Sequence, residues 1–138
     1  MRVMPIGWLL VLAAAAGAAD RADQSARVRI TQRDLIAQCL NHHPATGSRA
    51  WSVPPGPVSL AFTMRSQSRP GVAAADPGTA SIAFTAETGR QYEVEVRADP
   101  MAFSSRNWRR REWRPVVRDR TTDQIVSSEP EWVEPGCR

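Results

Sequence analysis

The sequence predicts a mainly β fold, a small antiparallel β-sandwich or barrel of six to eight short strands, with one short helix near the mature N-terminus. Three observations carry this expectation. Eleven Pro and eight Gly in 138 residues punctuate the chain too often for long helices. Several segments alternate apolar and polar residues with a period of two, as strands buried on one face do. The length beyond the N-terminal segment suits one domain with a single core.

The first twenty residues are of another kind. Met1-Arg2-Val3-Met4-Pro5 is a short basic start, and Ile6 to Ala16 is uncharged, apolar and rich in Leu and Ala. Ala16-Gly17-Ala18-Ala19 then supplies small residues just before Asp20. That order is a secretory signal peptide, with cleavage expected after Ala18 or Ala19. The competing reading is a retained anchor, for which the uncharged run from Val3 to Ala19 is marginal, since a span takes about 20 apolar residues. The expected organisation is therefore a signal peptide at 1–19 and a single domain at 20–138, periplasmic or secreted, with no transmembrane span in the mature form. An exported chain meets conditions in which disulfides form.

Along the mature chain, Val28 and Ile30 alternate with Arg27, Arg29 and Thr31, which predicts a short strand. Thr31-Gln32-Arg33-Asp34 is close to a capping box, and Leu35, Ile36, Cys39 and Leu40 follow at helical spacing. A helix ending near His42-His43-Pro44 competes here with a strand. Residues 45–57 and 66–78 read as loops rich in Pro, Gly and Ser. Between them, Val58, Leu60, Phe62 and Met64 alternate with small or polar residues as a half-buried strand.

Ala80, Ile82, Phe84 and Ala86 form one apolar alternation, and Tyr92, Val94, Val96 and Ala98 another, around the turn Glu87-Thr88-Gly89-Arg90. That pattern predicts a β-hairpin with one apolar face. Asp99 to Asn107 reads as a loop. Trp113, Pro115 and Val117 predict a strand, Gln124 to Ser128 its partner, and Glu131-Trp132-Val133 a final short strand. Pro115 points to a sheet edge or a strand start. The expected core is Val58, Leu60, Phe62, Ile82, Phe84, Tyr92, Val94 and Val96.

Cys39 and Cys137 are the only cysteines. Behind an export signal, two cysteines allow one intramolecular bridge, tying the C-terminal tail to the first third of the domain. Two free thiols or a bridge to a partner are the other possibilities.

Pro55-Gly56-Pro57-Val58-Ser59-Leu60, Phe84 to Tyr92 with its Gly89-Arg90-Gln91-Tyr92 turn, and Trp113-Arg114-Pro115-Val116-Val117-Arg118-Asp119 together resemble small bacterial exported β-sandwich proteins of the PEGA-like or lipoprotein-like accessory kind. The resemblance covers roughly half of the mature chain and rests on turn-and-strand grammar. It implies a fold and a compartment and carries over no catalytic residue. The chain lacks the lipid-attachment cysteine of the lipoprotein members.

Chemistry-bearing motifs are few. Cys39, His42 and His43 lie close together but are one ligand short of a structural zinc set, and Cys39 has Cys137 as a disulfide partner. The sequence contains no G-x-S-x-G, S-x-x-K or H-E-x-x-H. Glu93 and Glu95 share one strand face, where solvation and cross-strand pairing explain them better than paired-carboxylate catalysis. A non-enzymatic protein without catalytic residues, metal or other cofactor is expected.

All 18 basic residues are Arg. Seven stand between Arg106 and Arg120 against Glu112 and Asp119, whereas Thr121 to Arg138 carries four acids and one Arg. Within the basic block, Arg106, Trp108, Arg109, Arg110, Arg111 and Arg114 form the candidate anion-binding segment. Arg forks grip phosphate and carboxylate, and Trp offers a stacking face. The partners this suggests are an anionic envelope polymer, a lipid headgroup or an acidic exported protein; nucleic acid is not expected outside the cell. A second reading makes the arginines edge protection, neutralised by the acidic tail, with Trp113 and Val117 facing the core. The functional expectation is an exported envelope protein with a binding or structural role. The alternative is an inhibitor or accessory subunit that presents the 66–78 loop to an exported enzyme.

Overall fold

The computed structural model describes residues 24–45 and 47–137. The predicted signal peptide at 1–19 lies outside the described residues. Ten strands and one short helix follow in the order β1 Ala26–Ile30, β2 Leu35–Leu40, β3 His43–Pro44, β4 Ala50–Val53, β5 Gly56–Met64, β6 Thr79–Ala86, β7 Gln91–Ala98, α1 Pro100–Ser105, β8 Trp113–Asp119, β9 Gln124–Ile125 and β10 Glu131–Val133. They build two five-stranded sheets, in the orders β4-β1-β7-β8-β9 and β10-β6-β5-β2-β3. This is the predicted small β-sandwich. One pair departs from antiparallel: β1 runs parallel to β7, with Val28 opposite Tyr92.

The core lies between the sheets and follows the period-two pattern. Val58, Leu60 and Phe62 from β5, Ile82 and Phe84 from β6, and Tyr92 and Val94 from β7 are buried, while Val96 packs against them half-buried. Val28, Leu35, Val53, Trp108, Trp113 and Val117 complete the largest buried side chains around them.

The predicted hairpin of β6 and β7 is not formed. β6 pairs with β5 and β10, whereas β7 pairs with β1 and β8. The turn at 87–90 carries the chain from one sheet to the other. Two strands with one apolar face each can share a sheet or face each other across a core, and alternation is the same in both cases. Gly89 has φ +70, and the Glu87 N–H donates to the Tyr92 hydroxyl at 2.8 Å, fastening this corner.

The expected N-terminal helix is strand β2. Its register against β5 slips between Ala37 and Cys39, which leaves Gln38 as a bulge. Leu35 and Ala37 pair with Met64 and Phe62, whose side chains face the core; Cys39 then pairs with Ala61, on the outer face, and Leu40 with Leu60. The extra residue breaks the period of two, so the apolar spacing imitates a helix. Asn41 and His42, with φ 48 and 67, then form the two-residue turn of a tight hairpin into β3, where a helix end was expected.

The bulge also re-aims Cys39 so that it can be bridged. Cys39 and Cys137 form a disulfide with a Cα–Cα distance of 5.5 Å. Because β10 lies on the far edge of that sheet, the tail from Glu134 to Cys137 crosses β6 and β5 to reach β2. The outward residues below it, Ser59, Ala61 and Ser81, are small.

The one helix among the described residues is α1, in the segment expected to be a loop. Asp99 caps it by accepting the Met101 N–H at 3.0 Å, Pro100 opens it, and Arg106 ends it in the left-handed region at φ 53. β4 likewise arises in the stretch expected to be loop. Pro115 sits on the part of β8 that the two-residue β9, paired at Arg118 and Asp119, does not cover.

Candidate anion-binding site

The six candidate residues separate into two structural roles. Arg106 and Trp108 belong to the packing. The Arg106 guanidinium grips Asp34 through two bonds, Nη2 to Oδ1 at 2.7 Å and Nε to Oδ2 at 3.1 Å. That hydrogen bonding outweighs the opposing effect of burial and holds the Asp34 carboxyl below its ordinary range, and the same contact raises Arg106. Trp108 is 0% exposed and meets Phe103 edge-on at 6.1 Å, so its ring is not the stacking face expected of it. Its indole N–H lies near enough to Asp34 to favour the ionised carboxylate but makes no close hydrogen bond. Trp113 is also buried, as the alternative reading expected; its indole N–H donates to the Pro77 carbonyl at 2.9 Å.

Arg109, Arg110, Arg111 and Arg114 are exposed. The first three occupy the connection into β8, and Arg111 has φ 71. Arg110 lies over Gly78: a Cβ there would stand 2.9 Å from its Nε and 3.2 Å from the Trp132 ring. Arg114 lies on the outward face of β8, directly opposite Arg97 on β7. Like charges facing each other across two strands repel. Arg97 was missed from sequence because its neighbour depends on the β7–β8 register, which the expected β6–β7 hairpin obscured.

Arg97, Arg111 and Arg114 line a shallow hollow of about 430 Å³, together with Asp99 and Glu112. Both acids are partly engaged: Asp99 caps α1, and Glu112 Oε2 accepts the Arg109 N–H at 3.3 Å. Glu129 reaches Arg114 at 3.7 Å while its side chain is 89% exposed, a loose surface contact and all that the acidic tail contributes to these arginines. Among the described residues, Arg97, Arg109, Arg110 and Arg111 form no ion pair.

Several other arginines are matched. On the same sheet face, Arg29 and Arg120 both reach Glu93, at 3.0 and 3.5 Å, and Arg118 reaches Glu95 at 2.9 Å. Glu93 and Glu95 are thus charge partners. Arg90 pairs with the buried Asp119 at 2.7 Å. Burial alone would raise the Asp119 carboxyl, but the Arg90 bond and the Thr121 N–H more than offset it and lower it. Arg27, Arg33, Arg49, Arg65 and Arg69 also form no ion pair among the described residues, although Arg49 and Arg69 donate to backbone carbonyls. Where β7 ends and β8 begins, the unpaired Arg97, Arg109, Arg110 and Arg111 stand with the loosely paired Arg114.

The neighbouring 66–78 loop is fastened to this end. Ser66 Oγ donates to the Trp108 carbonyl at 2.8 Å, the Ala75 N–H to Asn107 Oδ1 at 2.7 Å, and Arg69 to the Ser105 carbonyl at 3.1 Å. Loop, α1 and the 106–112 connection form one cap over the end of the sandwich.

Other chemistry is sparse. The Cys39 sulfur is consumed by the disulfide, and His42 and His43 lie exposed at the β2–β3 hairpin. Among the described residues no group of three or more His, Cys, Asp or Glu is placed to hold a metal ion, and no helix is long and apolar enough to cross a membrane. The fold and site define a disulfide-tied β-sandwich with an arginine-rich end. Comparison with protein-family models, curated proteins and solved structures yields no match for this chain.

Proposed function

We propose that this is an exported cell-envelope protein with a non-enzymatic binding role, which contacts an anionic envelope component through Arg97, Arg109, Arg110, Arg111 and Arg114. The observation that carries this reading is the facing pair Arg97 and Arg114, a repulsive arrangement left without a close acidic partner. An anion bridging them and Arg111 would turn that repulsion into three charge-assisted contacts. At the Debye length of about 8 Å in physiological salt, such neighbouring charges act together on a polyanion. Export is supported by the N-terminal sequence pattern and by the disulfide.

Binding isotherms with a soluble anionic polysaccharide such as polygalacturonate test it. Binding at low salt that weakens steeply as salt rises is expected. Absence of binding even at low salt would reject the reading.

A further inference from the structure

Three apolar side chains project from the cap that carries the unmatched arginines. Met101 is 78% exposed, Phe103 58% and Val72 51%. Met101 and Phe103 stand on α1, which begins just after the Arg97 end of β7. Val72 stands on the loop whose Arg69 grips the C-terminal end of α1. The other exposed large apolar residues among those described, Ile125 and Val126, are each 37% exposed.

Phe103 touches the core through its edge-on contact with Trp108 but leaves more than half of its surface exposed, and Met101 and Val72 are more than half exposed as well. Ala102 is the buried residue of α1, and Trp108 fills the space beneath. Exposing Met and Phe to water on this cap is unfavourable. Apolar residues beside a cluster of cations match one environment well, the boundary between anionic headgroups and acyl chains.

From this juxtaposition we infer that the cap docks on an anionic lipid surface, with Met101 and Phe103 inserted at the headgroup boundary and Arg97, Arg109, Arg110 and Arg111 on the lipid phosphates. Val72 lies on the same cap, and Arg69 braces the helix against the loop. The inference rests on the anion-binding reading and narrows it to a membrane surface. Charge draws the cap to the bilayer, and the apolar pair holds it there. Neither is expected to suffice alone, because a few surface charges or one partly inserted ring binds weakly and reversibly.

Sedimentation with vesicles tests the inference, using the chain from Asp20 onward, which contains every described element. Vesicles of phosphatidylglycerol and phosphatidylcholine should bind the protein, and vesicles of phosphatidylcholine alone should not. Met101→Ser with Phe103→Ser should weaken vesicle binding by roughly tenfold or more, while polygalacturonate binding at low salt stays unchanged. Phe103→Trp should bind the anionic vesicles at least as tightly as the parent, since Trp favours the interface. If the parent binds the polysaccharide but not the vesicles, the lipid inference fails and the anion-binding reading stands. If it binds neither, both fail. A double variant that binds anionic vesicles as the parent does would overturn the insertion of Met101 and Phe103.

Discussion

The rings of Phe84 and Tyr92 meet across the sandwich with centroids 4.9 Å apart and planes inclined by 55°. Only a four-residue turn separates their strands in sequence, yet the two strands belong to different sheets. The Tyr92 hydroxyl closes the corner by accepting the Glu87 N–H. The contact therefore joins the two sheets at the point where the chain passes between them.

Phe84→Ala should cost on the order of 3–5 kcal/mol, the range for removing a buried aromatic ring. Thr85→Ala, at the neighbouring exposed position, should change stability by less than about 0.5 kcal/mol. Tyr92→Phe should cost about 0.5–1.5 kcal/mol through the lost hydrogen bond. Urea denaturation of the three variants reads all of these, and equal small effects at 84 and 85 would contradict the register.

The disulfide should leave no thiol to titrate in the denatured, unreduced protein. Its cysteines are 98 residues apart, so opening it should cost about 4–5 kcal/mol of unfolded-state entropy. Cys39→Ala with Cys137→Ala should lower the urea midpoint accordingly and make the tail beyond β10 accessible to protease.

Acid should unfold the protein through Asp34 and Asp119. Both carboxyls are lowered in the fold from an ordinary value of 3.8. A lowered pKa means the native state holds fewer protons than the unfolded one once the pH drops to that ordinary value. The stability from both carboxylates is thus complete above about pH 4 and is lost as pH falls through their folded values. Thermal melts between pH 7 and pH 2 should show this fall. Asp34→Asn should melt lower at pH 7 and show a shallower acid decline than the parent.

Gly78→Ala should destabilise by about 1–2 kcal/mol from its left-handed backbone alone. At φ +72 its Cβ would also press on Arg110 and Trp132. Chemical denaturation checks the magnitude, and an unchanged midpoint would contradict both the left-handed backbone at Gly78 and the close approach of Arg110 and Trp132.

Much of the fold was legible in single residues. Val58, Leu60, Phe62, Ile82, Phe84, Tyr92 and Val94 take the buried side that alternation assigns them, and Cys39 finds Cys137. What stayed hidden depended on pairing. Alternation in 80–86 and 92–98 could not say whether the strands share a sheet, and the bulge at Gln38 disguised β2 as a helix. Of the candidate site, the exposed Arg109, Arg110, Arg111 and Arg114 were visible as a charge run. The loss of Arg106 to Asp34 was not, because it follows from a contact 72 residues away in sequence, and the burial of Trp108 lay outside any strand alternation. Arg97 emerged only with the β7–β8 register.

The central claim is that the facing arginines serve an anion and not the fold. The most direct measurement compares Arg97→Ser, at the facing pair, with Arg118→Ser, at a matched pair, for stability and for low-salt polygalacturonate binding. Removing a repulsive charge should leave the melting temperature of Arg97→Ser unchanged or higher, while its affinity falls severalfold. Arg118→Ser should lose its contacts to Glu95 and Asp123, melting lower and binding nearly as the parent does. An Arg97→Ser protein that melts lower and binds as tightly as the parent would contradict the account.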